Sequence, residues 1–157
     1  MGEEALRLES RIPADTEYLA AVGRTFYNYA YLEGVVISTI GILHIHGSAG
    51  IPPKQTARAL ARLLTRSIAD AVPPLSDGHR SRLVRFDATF RATIAVRNTL
   101  LHARPFTAVG GAQRLGAGPH TWNEQELADA AERFEAAAIE GNDIFHSVLV
   151  PRRDGVR

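Results

Sequence analysis

The sequence predicts an all-α protein, an up-down four-helix bundle with a loop or short hairpin between the third and fourth helices. Apolar residues recur every three or four positions in four long segments, as they do on the buried face of a helix. Stretches rich in glycine and proline separate these segments. The 157 residues suffice for one domain with its own core. We therefore assign residues 15–148 to one helical domain and residues 1–14 and 149–157 to tails.

The first helix is expected to start after Asp15, whose carboxylate can cap it, and to continue to about His46. Glu33 falls on its apolar stripe. The other residues of that stripe are Leu19, Val22, Phe26, Ala30, Ile37 and Ile40. Pro52 and Pro53 are expected to open the second helix, because proline is favoured in the first turn.

The second helix is predicted to carry a cationic face. Basic residues four apart lie opposite its apolar positions, and they are Lys54, Arg58, Arg62 and Arg66. Side chains at this spacing point to the same side of a helix. The arrangement predicts a surface that can attract phosphate groups.

Ser76 is expected to cap the third helix, which should end by Arg104 because Pro105 disfavours helical backbone there. In the following segment, Gly110 and Gly111 can turn a short hairpin. An ordered excursion or a mobile loop fits this segment equally well.

The fourth helix is expected to be capped by Thr121 or Asn123, since each has a glutamate three residues further on. Trp122, just before the helix, suits a hydrophobic staple. The helix is expected to fray by Pro151 and to leave a disordered tail.

Composition excludes several classes of protein. The chain has no cysteine, which rules out a disulfide framework, a thiolate nucleophile and a zinc–cysteine cluster. The N-terminus lacks the uninterrupted apolar core of a signal peptide, and the most apolar stretch, residues 35–45, is too short to span a bilayer. We therefore expect a cytoplasmic protein that makes no contact with a membrane.

Charge is unevenly distributed, although the net charge is only +1. Residues 54–104 contain ten basic and three acidic side chains, for a formal charge of +7. Residues 123–146 contain seven acidic side chains and one arginine, for a formal charge of −6. One part of the chain can attract phosphate, whereas the other can repel it or pair with the basic part of a neighbour. Solvated helix faces explain any single charge equally well.

The most informative motif is Arg97-Asn98-Thr99-Leu100-Leu101-His102, at the end of the third helix. Arginine can grip phosphate through its planar fork, and histidine can exchange a proton near neutral pH. Arg97 and His102 are about 140° apart on an ideal helix, so they share a cleft only if the last turn loosens. Arg114 and His120 form a second such pair, with five residues between them instead of four, but they lie in a stretch rich in glycine and proline, where no regular element fixes the two side chains.

Glu33 is the only acidic residue between Tyr18 and His46. A carboxylate on an apolar stripe is costly unless it is paired, and its natural partners are Arg97 and His102. The functional interpretation is that Glu33 orients the Arg97–His102 pair. The structural alternatives are an exposed carboxylate at the edge of the stripe or a partner for a structural arginine.

Other polar and aromatic residues give weaker indications. His44 and His46 are two apart, do not share a helix face and have no acid nearby, so we expect no metal site there. Three tyrosines surround the Glu33 turn and can stack on bases, although packing is their more common use; they are Tyr27, Tyr29 and Tyr31. Asn142, Asp143 and His146 can border the same cleft or form a polar helix end.

The string from Arg97 to His102, at the end of a bundle's third helix, resembles the Arg-polar-(x)3-His motif of the HEPN superfamily. The likeness of the bundle covers most of residues 15–148, whereas the specific motif covers six residues. The resemblance implies a homodimer whose two motifs meet at the two-fold axis. Many members are metal-independent endoribonucleases of toxin–antitoxin, CRISPR or anti-phage systems, and others are inactive scaffolds or ligand binders.

The resemblance implies catalytic roles for Arg97, Asn98 and His102, with Glu33 supporting them, and no metal or other cofactor. One His102 would take the proton of a ribose 2′-OH, and its counterpart would protonate the leaving 5′-oxygen. RNA is expected to contact Arg58, Arg62, Arg66 and Arg104. An antitoxin or regulatory protein is a further possible partner.

The chain departs from the family pattern at one position. In one toxin branch a tyrosine two residues after the histidine receives nucleotides, and here that position is Arg104. We therefore do not expect silencing by modification at that position. The alternative function is a noncatalytic dimer that binds a nucleotide, an anion or a protein partner.

Overall fold

A computed structural model describes residues 15–44 and 55–154 of the chain. The helices are α1 Thr16–Leu43, α2 Ala57–Ala69, α3 Asp77–Leu101, α4 Glu124–Ile144, a π-helical turn Phe145–Leu149 and α5 Val150–Asp154. The strands are β1 Arg104–Thr107, β2 Gln113–Ala117 and β3 His120–Trp122, which form one antiparallel sheet in that order. The protein is mostly helical, as expected, but it is not all-α.

Helices α1 and α4 run in the same direction. The side chains of Thr25 and Asn28 on α1 donate to the carbonyl oxygens of Leu127 and Ala131 on α4, so residue numbers increase together along the two helices.

Helix α3 runs against its neighbours α2 and α4. The Arg80 guanidinium reaches the carbonyl of Ile68, whereas that of Arg91 reaches Ala61, so numbers rise on α3 as they fall on α2. Arg82, near the start of α3, contacts Asp143, near the end of α4. Since α2 and α4 both oppose α3, and α4 is parallel to α1, α2 is parallel to α1. The expected up-down alternation is therefore wrong for the first two helices.

The core is formed by α1, α2, α3 and α4, and α2 contributes the fully buried Leu60 and Leu64. Phe86 and Phe90 of α3 and Phe134 of α4 are among its largest fully buried side chains. Gly141 permits the close approach of α1, α3 and α4, because a Cβ atom there would come within 2.5 Å of Phe86 and 2.7 Å of Val35. A larger residue at this position would push these helices apart.

The buried face of α1 differs from the predicted stripe. Of that stripe only Ile40 is buried, while Leu19 and Ile37 are 47% and 41% exposed. The buried residues are Tyr18, Thr25, Tyr29, Leu32, Val35, Val36, Thr39, Ile40 and Leu43. The physical reason is that α1 has few charges, so apolar residues occur on nearly every side and do not single out one face.

Most helix starts follow the predicted caps. The Asp15 carboxylate accepts from the Tyr18 N–H at 2.6 Å, and Ser76 caps α3. Asn123 and Glu126 form a complete capping box at the start of α4. Helix α2 is different, because its cap is Thr56 and it begins at Ala57. The start expected at Pro52 and Pro53 is therefore wrong, and those two residues lie outside the described ranges.

The segment after α3 forms the expected hairpin. Thr107 pairs with Gln113, and Gly110 and Gly111 in the turn have φ values of 90° and 88°. These angles favour glycine, because other residues are strained there. The third strand was not predicted. The Tyr18 hydroxyl donates to the Trp122 carbonyl and accepts from the Leu115 N–H, which fastens this sheet to the start of α1.

The end of the chain is more regular than expected. Helix α4 continues through the π-helical turn into α5 and does not fray by Pro151. Proline has no N–H and its ring crowds the preceding turn of an α-helix. In the π-helical turn, the Val150 N–H bonds to the carbonyl of Phe145, five residues back. This wider turn directly before Pro151 relieves the crowding that would otherwise end the helix.

Candidate functional site

A depression of about 440 Å³ lies between α2 and α3, and we call it the arginine groove. Its lining consists of Arg58, Ala61 and Arg62 from α2 and of Arg91, Ile94, Ala95 and Asn98 from α3. Side chains four apart line up along each helix, which is why two residues of the predicted cationic face enter together. The groove brings three guanidinium groups and one amide to a single surface.

Arg91 is fixed in position within the groove. Its Nε lies 3.2 Å from an oxygen of Asp87, one turn earlier on α3. Its Nη2 donates to the Ala61 carbonyl at 2.8 Å and also to the hydroxyl of Thr65. The Nη1 group makes no hydrogen bond to any residue in ranges 15–44 and 55–154. Arg91 therefore offers a positioned donor to a ligand in the groove.

Arg58 and Arg62 supply positive charge that no acidic side chain in ranges 15–44 and 55–154 pairs with. Both side chains are exposed. Neither forms an ion pair with a described residue. Among the described residues, the acid next to the groove is Asp87, which is buried and already bonded to Arg91. The groove is consequently electropositive and suits a phosphate better than a neutral ligand.

Arg97 points away from the groove, toward α1. Its guanidinium carbon lies 5.4 Å from the centre of the Tyr29 ring, and Nη1 donates to Asn98 Oδ1 at 3.0 Å. The charge of Arg97 lowers the pKa of the nearby Glu33 carboxyl, but the two side chains form no ion pair among the described contacts. Arg97 thus joins a half-buried cluster with Tyr29 and Glu33, and it holds the amide of Asn98 at the edge of the groove.

The Arg97 cluster perturbs two acidic groups. Burial raises the pKa of the Glu33 carboxyl, and the positive charge of Arg97 offsets only part of that rise. Burial, followed by the negative charge of Glu33, also raises the pKa of the Tyr29 phenol. The buried Tyr29 hydroxyl interacts with the Glu33 carboxylate and lowers its pKa, but the contact does not have normal hydrogen-bond geometry. The burial of the Glu33 carboxylate is therefore only partly compensated by its neighbours in the cluster.

His102 is the C-cap of α3, and its side chain is exposed. Its backbone N–H still bonds to the Asn98 carbonyl at 3.1 Å, so the last turn keeps helical geometry. That turn does not loosen in the way that would bring Arg97 and His102 together. His102 instead shares a side of α3 with Asn98 and Arg91, four and eleven residues before it.

The remaining predicted RNA contacts lie outside the groove. Arg66 is exposed in the last turn of α2 and is not part of the lining. Arg104 is exposed at the start of β1, opposite Gly116. Of the four predicted contacts, the structure brings Arg58 and Arg62 together.

Other candidates have structural explanations. Arg114 pairs with Asp15 and Glu124 and covers the Tyr18 ring, so it fastens the sheet to the helices. The His44 Nε2 atom lies 2.6 Å from the Ser67 hydroxyl, and His46 lies outside the described residues.

Within ranges 15–44 and 55–154, no three metal-ligating side chains cluster. No helix in the same ranges is long and apolar enough to cross a membrane.

Arg91 is the site residue that the sequence analysis missed. Its spacing from Asp87 is the four-residue spacing of an ion pair on one helix face, which was a usable signal. The spacing does not reveal that Thr65 and the Ala61 carbonyl of α2 also hold this arginine. Those contacts depend on how α2 packs against α3.

Comparisons with known proteins give no relative for this chain. No family model, curated protein or solved structure matches it at a significant level. The fold and the groove therefore define the class of protein. It is a mostly helical bundle with a small sheet and an electropositive groove.

Proposed function

We propose that this protein is a metal-independent endoribonuclease of the HEPN type, which holds RNA in the arginine groove. The observation that carries the proposal is the convergence of Arg58, Arg62, Arg91 and Asn98 in one depression. His102 lies further along the same side of α3. Guanidinium groups are the preferred partners of phosphate, and an exposed imidazole is available for proton transfer.

The proposed reaction uses the ribose 2′-OH as nucleophile. His102 takes the 2′-OH proton, the oxygen attacks the adjacent phosphorus, and the bond to the 5′-oxygen breaks. A protonated His102 from a second copy gives its proton to that leaving oxygen. Asn98, one turn before His102, donates its amide N–H to the reacting phosphate. Arg91 is about 16 Å from His102 along the helix axis, so its unbonded Nη1 holds a neighbouring phosphate of the strand. The products are a 2′,3′-cyclic phosphate and a 5′-hydroxyl, and DNA is not a substrate because it lacks the nucleophile.

In this proposal Arg97 and Glu33 are positioning residues. Arg97 donates to Asn98 Oδ1, which leaves the amide N–H groups of Asn98 available toward the groove. Glu33 and Tyr29 keep Arg97 on the α1 side. Removal of Arg97 should therefore weaken the reaction through Asn98 and not through a lost phosphate contact.

A homodimer is part of the proposal, because one His102 cannot serve as acid and base in the same step. The proposal also places the protein in the cytoplasm. A toxin or anti-phage role, with an antitoxin or regulatory protein as partner, extends the same proposal. The acidic surface of α4 gives such a partner a region of opposite charge to the groove.

The second candidate is a noncatalytic domain whose groove binds an RNA phosphate or another anion. Two observations favour it. Arg97 already contacts the Tyr29 ring and Asn98 within the chain. The His102 imidazole has no hydrogen-bond partner among described residues to orient it. General bases in enzymes are commonly oriented by a second group. Binding without cleavage would follow from the same groove.

The test is cleavage of labelled single-stranded RNA by purified protein in EDTA. Wild type should give products that end in 2′,3′-cyclic phosphate, and a matched DNA should remain intact. His102→Ala should abolish cleavage while RNA binding persists. His79→Ala is the matched control, since His79 is also exposed on α3 but lies at its opposite end.

Cleavage that survives in His102→Ala would exclude His102 from the reaction. RNA binding without any cleavage by wild type would favour the noncatalytic candidate. Absence of both binding and cleavage would contradict the use of the groove for RNA.

A further inference from the structure

A second depression, of about 310 Å³, lies between α1 and the C-terminal end of α4. Its lining consists of Tyr31, Gly34, Val35 and Ser38 from α1, with Asn142 from α4 and Phe145 and His146 from the π-helical turn. Its volume is at the lower end of the roughly 300–1,000 Å³ typical of small-molecule sites. It shares no residue with the arginine groove.

Aromatic rings dominate this second depression. Tyr31 is 48% exposed, although it is a large and mostly apolar side chain. Phe145 is half-buried, and its ring centre lies 5.2 Å from that of the exposed His146, with the two planes at 85°. The part of the chain that the structure describes contributes no Asp, Glu, Lys or Arg to the lining. Such a surface favours an uncharged planar ring that can stack on an aromatic face.

Two polar side chains provide hydrogen bonds at the same place. Asn142 Nδ2 donates to the Tyr31 hydroxyl at 2.9 Å. Its Oδ1 and its second N–H have no partner among the described residues, and neither has the Ser38 hydroxyl. An amide offers an acceptor and a donor side by side, which is the pattern that pairs with the N6 and N7 atoms of adenine.

The backbone explains why the depression is open. A Cβ atom at Gly34 would meet nothing within 4 Å, so this glycine leaves space between α1 and the π-helical turn. Glycine inside a helix costs about 1 kcal/mol relative to alanine. The π-helical turn adds a residue to its turn and changes the direction in which Phe145 and His146 point.

We propose that this depression binds a nucleobase, stacked on Tyr31 or Phe145 and bonded along one edge by Asn142. The base belongs either to a free nucleoside or to an unpaired position in an RNA strand. This site is separate from the arginine groove and does not depend on ribonuclease activity. Because the base is uncharged, its affinity should be nearly independent of salt, unlike phosphate binding in the groove.

The test uses Gly34→Leu, which fills the depression without removing any existing contact. Gly41→Leu is the matched control, because a Cβ atom there also meets nothing within 4 Å and Gly41 does not line the depression. Binding of adenosine and of a short single-stranded RNA is measured by calorimetry for each protein. Circular dichroism confirms that helix content is unchanged.

Adenosine affinity should fall at least about tenfold in Gly34→Leu and in Asn142→Ala, as expected for loss of a stacked and bidentate contact. It should remain unchanged in Gly41→Leu and in the double variant Arg58→Ala/Arg62→Ala. If wild type binds only the RNA, and Gly34→Leu weakens that binding, the base comes from an RNA strand.

Equal binding of both ligands by wild type and Gly34→Leu, or no binding of either ligand by wild type, would overturn the nucleobase site. Equal binding would leave the ribonuclease proposal intact. Absence of RNA binding would also count against the arginine groove, and His102-dependent cleavage is the separate readout that decides the ribonuclease proposal.

Discussion

Arg91 and Arg97 lie six residues apart on α3 but have different surroundings. Arg91 forms a direct ion pair with Asp87 and bonds to two groups of α2, and one of its nitrogens remains available to the groove. Arg97 lies over the Tyr29 ring without an ion pair to Glu33 among the described contacts. An arginine with a partner on its own helix can be fixed at a solvent-facing groove, whereas one held by an aromatic ring is drawn into the bundle.

The two carboxylates differ in the same way. The Asp87 Oδ2 atom accepts from both the Thr65 hydroxyl and Arg91, whereas its buried Oδ1 atom has no partner among the described residues. Glu33 has a nearby positive charge but no direct ion pair, and burial raises its pKa. At Glu33, the effect of burial on the pKa exceeds the combined effect of the Arg97 charge and the Tyr29 hydroxyl, because the carboxylate forms no direct ion pair with Arg97.

The largest predicted effect is on stability. Arg91→Ala leaves the buried Asp87 with the Thr65 hydroxyl as its one remaining donor, so unfolding free energy should fall by about 1–3 kcal/mol. Arg97→Ala removes one ring contact and one neutral acceptor bond, and should cost about 0.5–1 kcal/mol. Urea unfolding at neutral pH measures both.

The double variant Asp87→Ala/Arg91→Ala is the control, since it removes the stranded carboxylate and should recover part of the loss. A larger loss in Arg97→Ala than in Arg91→Ala would reverse the comparison between the two arginines.

The next effect is on RNA affinity and its salt dependence. Each phosphate contact contributes about 0.7 to the slope of log affinity against log salt for a single strand. Arg58→Ala/Arg62→Ala should therefore reduce this slope by about 1.4, whereas Arg97→Ala should leave it unchanged. Filter binding at several salt concentrations measures the slope.

Arg85→Ala is the matched control, because Arg85 is exposed on α3 and does not line the groove. An unchanged slope in the double variant, or a reduced one in Arg97→Ala, would place the phosphate contacts elsewhere.

The smallest effect is the pH dependence caused by Glu33. Its raised pKa means that the folded protein binds more protons than the unfolded chain above the ordinary value of 4.5. Stability is therefore lost as pH rises from that value through the raised pKa. Glu33→Gln removes this loss, so the variant should be more stable than wild type at neutral pH and equally stable in acid.

Denaturant unfolding between about pH 4 and pH 7 tests this linkage. Glu132→Gln, on the exposed side of α4, controls for removing a negative charge. A Glu33→Gln variant that is less stable at neutral pH would mean that Arg97 stabilises the ionised carboxylate more than burial disfavours it.

Local chemistry made several features predictable. The caps at Asp15, Ser76 and Asn123 depend on side chains that bond to backbone groups three residues away. The hairpin at Gly110 follows from a backbone conformation that glycine tolerates. The strand at Trp122 was not predictable in this way, because a three-residue strand forms only when its partner is already in place.

The sequence by itself determined where α1, α3 and α4 are capped, where the hairpin turns, and that Arg58 and Arg62 share one face. These features depend on residues within about one helical turn of each other. The tertiary structure decided the direction of α2, the buried face of α1 and the different environments of Arg91 and Arg97. The reason is that burial depends on which surfaces meet, and segments distant in the sequence supply the Ala61 carbonyl, the Thr65 hydroxyl and the Tyr29 ring.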